Sequence, residues 1–136
     1  RNIYCRIKLM KQDNKIIGRI GEKAAGEYLK KKGYEILESN FYTKFGEIDI
    51  IAMEKRSAQG GPITVFVEVK TKSGDEFGEP WEMVNQRKLQ QVKNMAIVYL
   101  TKNGLGEVAC RIDVVGVWLK DGEVDKVEHW EDVRVE

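Results

Sequence analysis

Three charged side chains interrupt two apolar stretches of this chain. Asp49 lies in Phe45-Gly46-Glu47-Ile48-Asp49-Ile50-Ile51-Ala52, and Glu68 and Lys70 lie in Val65-Phe66-Val67-Glu68-Val69-Lys70. Stretches this rich in Ile, Val and Phe read as β-strands covered on both faces. A carboxylate buried there is costly unless it is paired or binds a metal. Strand alternation puts Glu47, Asp49 and Ile51 on one face, with Ile48, Ile50 and Ala52 on the other. It likewise sets Glu68 and Lys70 together, opposite Val67 and Val69. With the strands as hairpin neighbours, Asp49 and Glu68 come within reach of one ion. A hard cation such as Mg²⁺ or Mn²⁺ takes oxygen ligands of this kind, polarises a phosphoryl oxygen and lowers the pKa of a bound water. Lys70 is placed to orient that water or to offset charge in the transition state. The pattern is that of a metal-dependent phosphodiester hydrolase.

An acid-x-Lys triplet alone carries little weight. Asp13-Asn14-Lys15 has the same form in a polar stretch with no strand signal. The competing reading is a solvated sheet face on which Glu68 and Lys70 form a surface pair worth about 0–1 kcal/mol. Asp49 on a preceding apolar strand is what raises the triplet above that background.

Other residues offer support. On a helical wheel Glu22 falls at the edge of an apolar stripe, beside Leu29. Gly18 and Gly26, one turn to either side, are expected to let that helix approach the sheet. Glu22 then either reaches the metal or is a solvated acid in the first turn. Lys88 falls between Val84, Val92 and Met95, so it either snorkels outward or points at an acid or a phosphate. Gln86 and Arg87 beside it, and Lys72 beyond Lys70, are candidate nucleic-acid contacts. His129, the only histidine, reads as structural, and Asp113 as a local partner of Arg111. Trp81, Trp118 and Trp130 read as packing residues.

The elements that must position these groups follow from periodicity and turn chemistry. A helix is expected from about Gly18 to Lys32, stopped by Gly33. Strands follow at Tyr34 to Tyr42 and in the two stretches above, the latter separated by Gln59-Gly60-Gly61-Pro62. Thr71 to Pro80 reads as a loop and Trp81 to Lys102 as a long helix. A fourth strand spans Cys110 to Leu119, an Asp121-Gly122 hairpin follows, and a fifth strand runs near Val124 to Trp130. The order α-β-β-β-α-β-β gives an α/β fold, a mixed central sheet flanked by helices. Residues 1–17 form an N-terminal extension and 18–136 a single domain. Residues 1–9 either precede a natural start at Met10 or pair as a strand.

Composition sets the bounds. The chain has 136 residues, 42% hydrophobic and 33% charged, with a formal net charge of +1. That suits one globular core. No apolar run approaches the roughly 20 residues that span a bilayer, and no signal peptide is visible. Cys5 and Cys110 match no metal spacing and suggest free thiols in a reducing cytoplasm. A near-neutral total argues against a strongly basic nucleic-acid binder, but not against a nuclease whose acidic ligands offset its basic residues.

Gly18-Arg19-Ile20-Gly21-Glu22, Gly46-Glu47-Ile48-Asp49, Phe66-Val67-Glu68-Val69-Lys70, Phe77-Gly78, Lys88 and Arg111-Ile112-Asp113-Val114-Val115 together resemble the YraN family of endonuclease-like bacterial proteins. The resemblance covers roughly Gly18 to Asp132. It implies a restriction-endonuclease-like fold of the PD-(D/E)xK superfamily, distantly similar to Holliday-junction resolvases. Asp49 and Glu68 map to the metal-binding acids, Lys70 to the catalytic lysine and Glu22 to the helix-borne acid. The Val69 carbonyl joins the metal ligands. The implied activity is a Mg²⁺- or Mn²⁺-dependent endonuclease on branched or structured DNA, with RNA as a further substrate class. Junction symmetry implies a homodimer. The alternative is a non-catalytic nucleic-acid-binding or scaffolding module on the same fold. One departure stands out: Tyr42 occupies a position where the family commonly has arginine.

Overall fold

The computed structural model describes residues 3–58, 60–73, 85–106 and 108–135, with side chains from Asn14 onward. The elements are α1 (Ile3–Lys31), β1 (Tyr34–Thr43), β2 (Gly46–Glu54), β3 (Ile63–Ser73), α2 (Gln86–Lys102), β4 (Cys110–Lys120) and β5 (Glu123–Trp130). This is the expected order. The strands form one sheet in the order β1-β2-β3-β4-β5. β3 and β4 pair in parallel, and the other neighbours are antiparallel.

Helices cover both faces. On one, Ala25 and Leu29 of α1 pack on Ile50, Ala52, Val65, Val67, Val69, Val115, Val117 and Leu119. On the other, Val92, Met95, Ala96 and Tyr99 of α2 pack on Phe41, Ile48, Ile51 and Phe66. The parallel β3–β4 pair is therefore buried on both sides, which is why its sequence is nearly continuous in Val, Ile and Phe. A smaller cluster of Leu89, Val114 and Trp118 adjoins Trp130, so Trp118 and Trp130 pack as expected.

Several boundaries differ from those the sequence predicts. α1 begins at Ile3, so residues 3–9 are helical and do not pair as a strand. The polar stretch from Met10 to Lys15 continues the helix, because it holds no Pro or Gly to stop it. β3 extends through Ser73, into the segment expected as a loop. α2 starts at Gln86, capped by Asn85, whose side-chain Oδ1 accepts from the Lys88 N–H at 2.8 Å. Trp81 and Val84 lie outside the described residues. Asp121 and Gly122 have φ of 52° and 78°, the two left-handed residues that a tight hairpin requires.

The close approach of α1 to the sheet is made by Gly21. A Cβ added there would sit 1.8 Å from Thr71 Oγ1 and 2.8 Å from Thr71 Cβ, whereas one added at Gly18 or Gly26 would meet no other part of the described residues within 4 Å. The expectation for Gly18 and Gly26 is thus corrected. They lie beside the contact ridge, and Gly21 lies on it. Gly21→Ala should destabilise the protein by about 1–3 kcal/mol through overpacking. Gly18→Ala and Gly26→Ala should be neutral or stabilise by up to about 1 kcal/mol through helix propensity. Thermal melts of the three variants check this ordering.

Candidate metal centre

β2 and β3 pair from Glu54↔Ile63 to Ile50↔Val67, and no further. Beyond that point Asp49 replaces backbone pairing with its side chain: the Val69 N–H donates to Asp49 Oδ2 at 2.8 Å. Alternation breaks at the same level. Ile48 belongs to the α2-side core and Ile50 to the α1-side core. In β1, Asn40 takes φ 53°, a left-handed value that asparagine tolerates better than most residues. Phe41, next to it, packs on the α2 side, while Ser39 and Asn40 line a groove against α1. Hence Glu47, Asp49 and Ile51 do not share a face as strict alternation predicts, and Ile51 packs beneath α2.

The parting of β2 from β3 lets groups from both sides of the sheet meet. Glu22 from α1 and Glu47 and Asp49 from β2 bring one carboxylate oxygen each within 4.8 Å of one another. The Asn40 amide, with its nitrogen turned toward the acids, donates to Glu47 Oε1 at 2.7 Å and Glu22 Oε2 at 3.2 Å. On β3, Glu68 follows Phe66 in alternation and faces the α2 side. Lys70 Nζ lies 3.6 Å and Lys88 Nζ 3.9 Å from Glu68 Oε1. Asp49 joins the two groups, since its charge acts on Glu22, Glu47 and Glu68 alike. One pocket is bordered by Gly18, Glu22, Asp49, Glu68, Val69 and Lys70.

Five of the sequence candidates, Glu22, Asp49, Glu68, Val69 and Lys70, are thus brought together, and Lys88 reaches them from α2. Lys88 points at an acid, one of the two alternatives its wheel position allowed. Val69 enters through its N–H. Gln86 and Arg87 lie on the exposed first turn of α2, and Arg87 lines one depression with Phe45. Lys72 sits one alternation beyond Lys70 on β3. Sequence reasoning missed Glu47 and Asn40 as site residues. The Glu47-x-Asp49 spacing was a usable signal for the first. Asn40 had none, because its role depends on a left-handed φ inside a strand.

The electrostatics are those of crowded acids. Burial, then the charge of Asp49, pushes the Glu68 carboxyl up to about 7, although Lys88 and Lys70 oppose this. Burial raises Asp49 too, against the Val69 N–H and both lysines. Burial and the neighbouring carboxylates raise Glu22 and Glu47. Glu68 is 3% exposed, and its Oε2 has no hydrogen-bond partner among the described residues. An all-oxygen donor set with a buried acceptor left open fits a hard divalent cation.

The sign of the pH effect follows from these directions. A carboxyl raised in the folded state holds its proton after the unfolded chain has lost its own, so stability falls as pH rises between the two values. For Glu68 the window runs from 4.5 to about 7. Without metal, the protein should lose on the order of 3 kcal/mol across this window. Saturating Mn²⁺ should remove the slope, and melts from pH 4.5 to 8 with and without the ion check both statements.

A second polar network lies under α1. Asp113 is fully buried and accepts from Arg111 Nε at 2.9 Å and from the Asp132 N–H at 3.0 Å, and pairs with His129 Nε2 at 2.7 Å. Arg111 also donates to the Tyr34 hydroxyl at 2.6 Å and pairs with Glu54. Burial alone would raise Asp113, but hydrogen bonds from His129, Arg111 and Asp132 bring it below the usual carboxylate value. Every oxygen is satisfied, so this is a structural staple, as expected for His129 and Asp113.

The model of the uncharacterised protein family UPF0102 matches residues 21–117 of the chain. The chain belongs to the UPF0102 family. This is the YraN family that the sequence motifs resemble. A UPF0102 protein of Trichlorobacter lovleyi is 40% identical over 121 residues, covering 89% of this chain and 91% of its own. Another, of Caldanaerobacter subterraneus subsp. tengcongensis, is 41% identical over 123 residues, covering 89% and 96%. A third, of Moorella thermoacetica, is 48% identical over 102 residues, covering 75% and 80%. The UPF0102 match contains Glu22, Asn40, Glu47, Asp49, Glu68, Lys70 and Lys88. Among the described residues, no helix is long and apolar enough to cross a membrane.

Proposed function

We propose that this protein is a Mg²⁺- or Mn²⁺-dependent DNA endonuclease acting on branched or structured DNA, on a restriction-endonuclease-like fold of the PD-(D/E)xK superfamily. The observation that carries the reading is Glu68. It is buried, keeps one oxygen without a partner among the described residues, and lies in the field of Asp49 and beside two lysines at the point where two strands part. Such a charge is expensive to keep for structure alone.

Asp49, Glu68 and Glu22 would hold the cation, with Glu47 and the Val69 carbonyl as further oxygens. The cation would supply the positive charge that polarises the phosphoryl group and acidifies a bound water. The chain's own residues do the rest. The Val69 N–H fixes the Asp49 carboxylate, and Asn40 holds Glu22 and Glu47 against each other. Lys70 orients the attacking water and donates to the developing phosphoryl charge. Lys88 neutralises Glu68 and contacts a non-bridging phosphate oxygen. Arg87, Gln86 and Lys72 contact flanking phosphates. The reaction is expected in the cytoplasm, and two-fold junction symmetry favours a homodimer.

The test is cleavage of single-stranded, duplex, flap and four-way-junction DNA with Mn²⁺, with Asp49→Asn purified alongside. Cleavage by the wild type alone supports the reading. Junction binding that is unchanged in Asp49→Asn, with no cleavage by either protein, would favour the non-catalytic binding module.

A further inference from the structure

Tyr42 and Phe45 flank the β1–β2 turn and are the most exposed large apolar side chains described, at 69% and 62%. Tyr42 stands directly opposite Glu47 in the antiparallel register. Directly opposed residues project from the same face, with Cβ atoms about 4.5–5.5 Å apart. Tyr42 therefore rises at the rim of the carboxylate cluster to which Glu47 belongs. Cations surround this aromatic edge. Lys44 Nζ lies 5.2 Å from the Phe45 ring centre, and Arg87 borders the depression beside Phe45. On the other side a groove of about 360 Å³ leads from Asp49 between α1 and β1, lined by Arg19, Lys23 and Lys30 and also by Glu22 and Glu27. The turn is held in place: Gln91 Nε2 donates to the Phe45 carbonyl at 2.8 Å.

We infer that Tyr42, with Phe45 beyond it, is a stacking platform for an unpaired DNA base next to the phosphate held at the carboxylates. The inference rests on the nuclease reading and narrows its substrate to DNA with at least one unstacked nucleotide at the cut. An exposed ring adds affinity only when a base can leave its own stack, because inside a duplex both faces of each base are covered. Lys44 and Arg87 on the Phe45 side supply phosphate contacts, and the rings supply the face that a duplex cannot use.

The test measures binding of a short single-stranded DNA carrying 2-aminopurine, and of its duplex, with Ca²⁺ replacing Mg²⁺. The proteins are wild type, Tyr42→Ala, Tyr42→Phe and Tyr42→Ala with Phe45→Ala. Stacking by alanine substitution corresponds to about a fivefold to hundredfold loss of affinity per base. Tyr42→Ala should lose about tenfold for the single strand and lose 2-aminopurine quenching, with duplex affinity unchanged. Tyr42→Phe should keep both, and the double variant should bind more weakly still. Unchanged single-strand affinity in the double variant overturns the inference, as does an equal loss for both DNAs or no binding of either. Tyr42-dependent quenching without Mn²⁺-dependent cleavage by the wild type would support the platform while removing the nuclease. Mn²⁺-dependent cleavage of paired and unpaired DNA that is the same in Tyr42→Ala as in the wild type would remove the platform and leave the nuclease.

Discussion

Glu68→Gln is expected to lower Mn²⁺-dependent cleavage by about 10³-fold, close to 4 kcal/mol of transition-state stabilisation. The same substitution should raise the melting temperature of the metal-free protein at pH 8. Glu68 is a buried acid whose pKa is pushed up to about 7 by burial and by Asp49. At pH 8 it is ionised at a cost that the neutral amide does not incur. The gain should be about 1–2 kcal/mol, with loss of the Lys70 and Lys88 pairings offsetting part of it. This inverse movement of activity and stability distinguishes a functional acid from a structural one. A structural ion pair would lose stability on substitution, and cleavage would fall only as far as folding does. The assay is single-turnover cleavage together with thermal melts on the same preparations. Unimpaired cleavage by Glu68→Gln would remove Glu68 from the chemistry.

Asp113→Ala should have the largest effect on stability and the opposite character. Asp113 is fully buried and holds Arg111, His129 and the Asp132 N–H at once. Its removal leaves a guanidinium that is only 10% exposed without its bidentate partner. Breaking a buried pair from one side costs about 3–5 kcal/mol. In a domain of this size that corresponds to a fall in melting temperature of roughly 10–20 °C. Asp113→Asn keeps an acceptor of the same shape and should lose about half as much. Neither variant should alter the Mn²⁺ requirement, because Asp113 does not contact the carboxylate cluster. A melting temperature within 3 °C of wild type for Asp113→Ala, a value set by the roughly 1 kcal/mol of an ordinary exposed contact, would mean that the staple is dispensable.

The contrast between the two networks explains what was legible in the sequence. Charges inside Val- and Ile-rich strands stand out, so Asp49, Glu68 and Lys70 are visible from their place in the sequence, and periodicity and turn residues make the order of the elements visible too. The way they meet was not visible. Strict alternation puts Asp49 on a shared face with Ile51, yet Ile51 packs under α2 while Asp49 sits where β2 and β3 separate. That separation depends on a side chain replacing a backbone partner and on Asn40 at φ 53°, and neither has a one-dimensional signature. The helix–sheet contact is similar. Gly18, Gly21 and Gly26 are all in α1, and periodicity does not say which of them touches Thr71. The start of α1 at Ile3 is hidden because Ile3, Cys5, Ile7 and Leu9 alternate with Tyr4, Arg6 and Lys8 in the period-2 pattern of a strand, and the polar run Lys11-Gln12-Asp13-Asn14-Lys15 separates them from the packed part of the helix.

The central claim is that Glu22, Glu47, Asp49 and Glu68 form a divalent-cation site, and calorimetric titration with Mn²⁺ tests it most directly. The titration would be run at pH 7 in two buffers of different ionisation enthalpy, on wild type and Asp49→Asn. Because Glu68 holds its proton up to about pH 7, a cation bound at these oxygens must displace part of it. A true site therefore gives saturable binding with proton release in the wild type, and neither in Asp49→Asn. Absence of Mn²⁺ binding, or binding that survives Asp49→Asn with no proton released, would contradict the claim and leave the acids without a cation to hold.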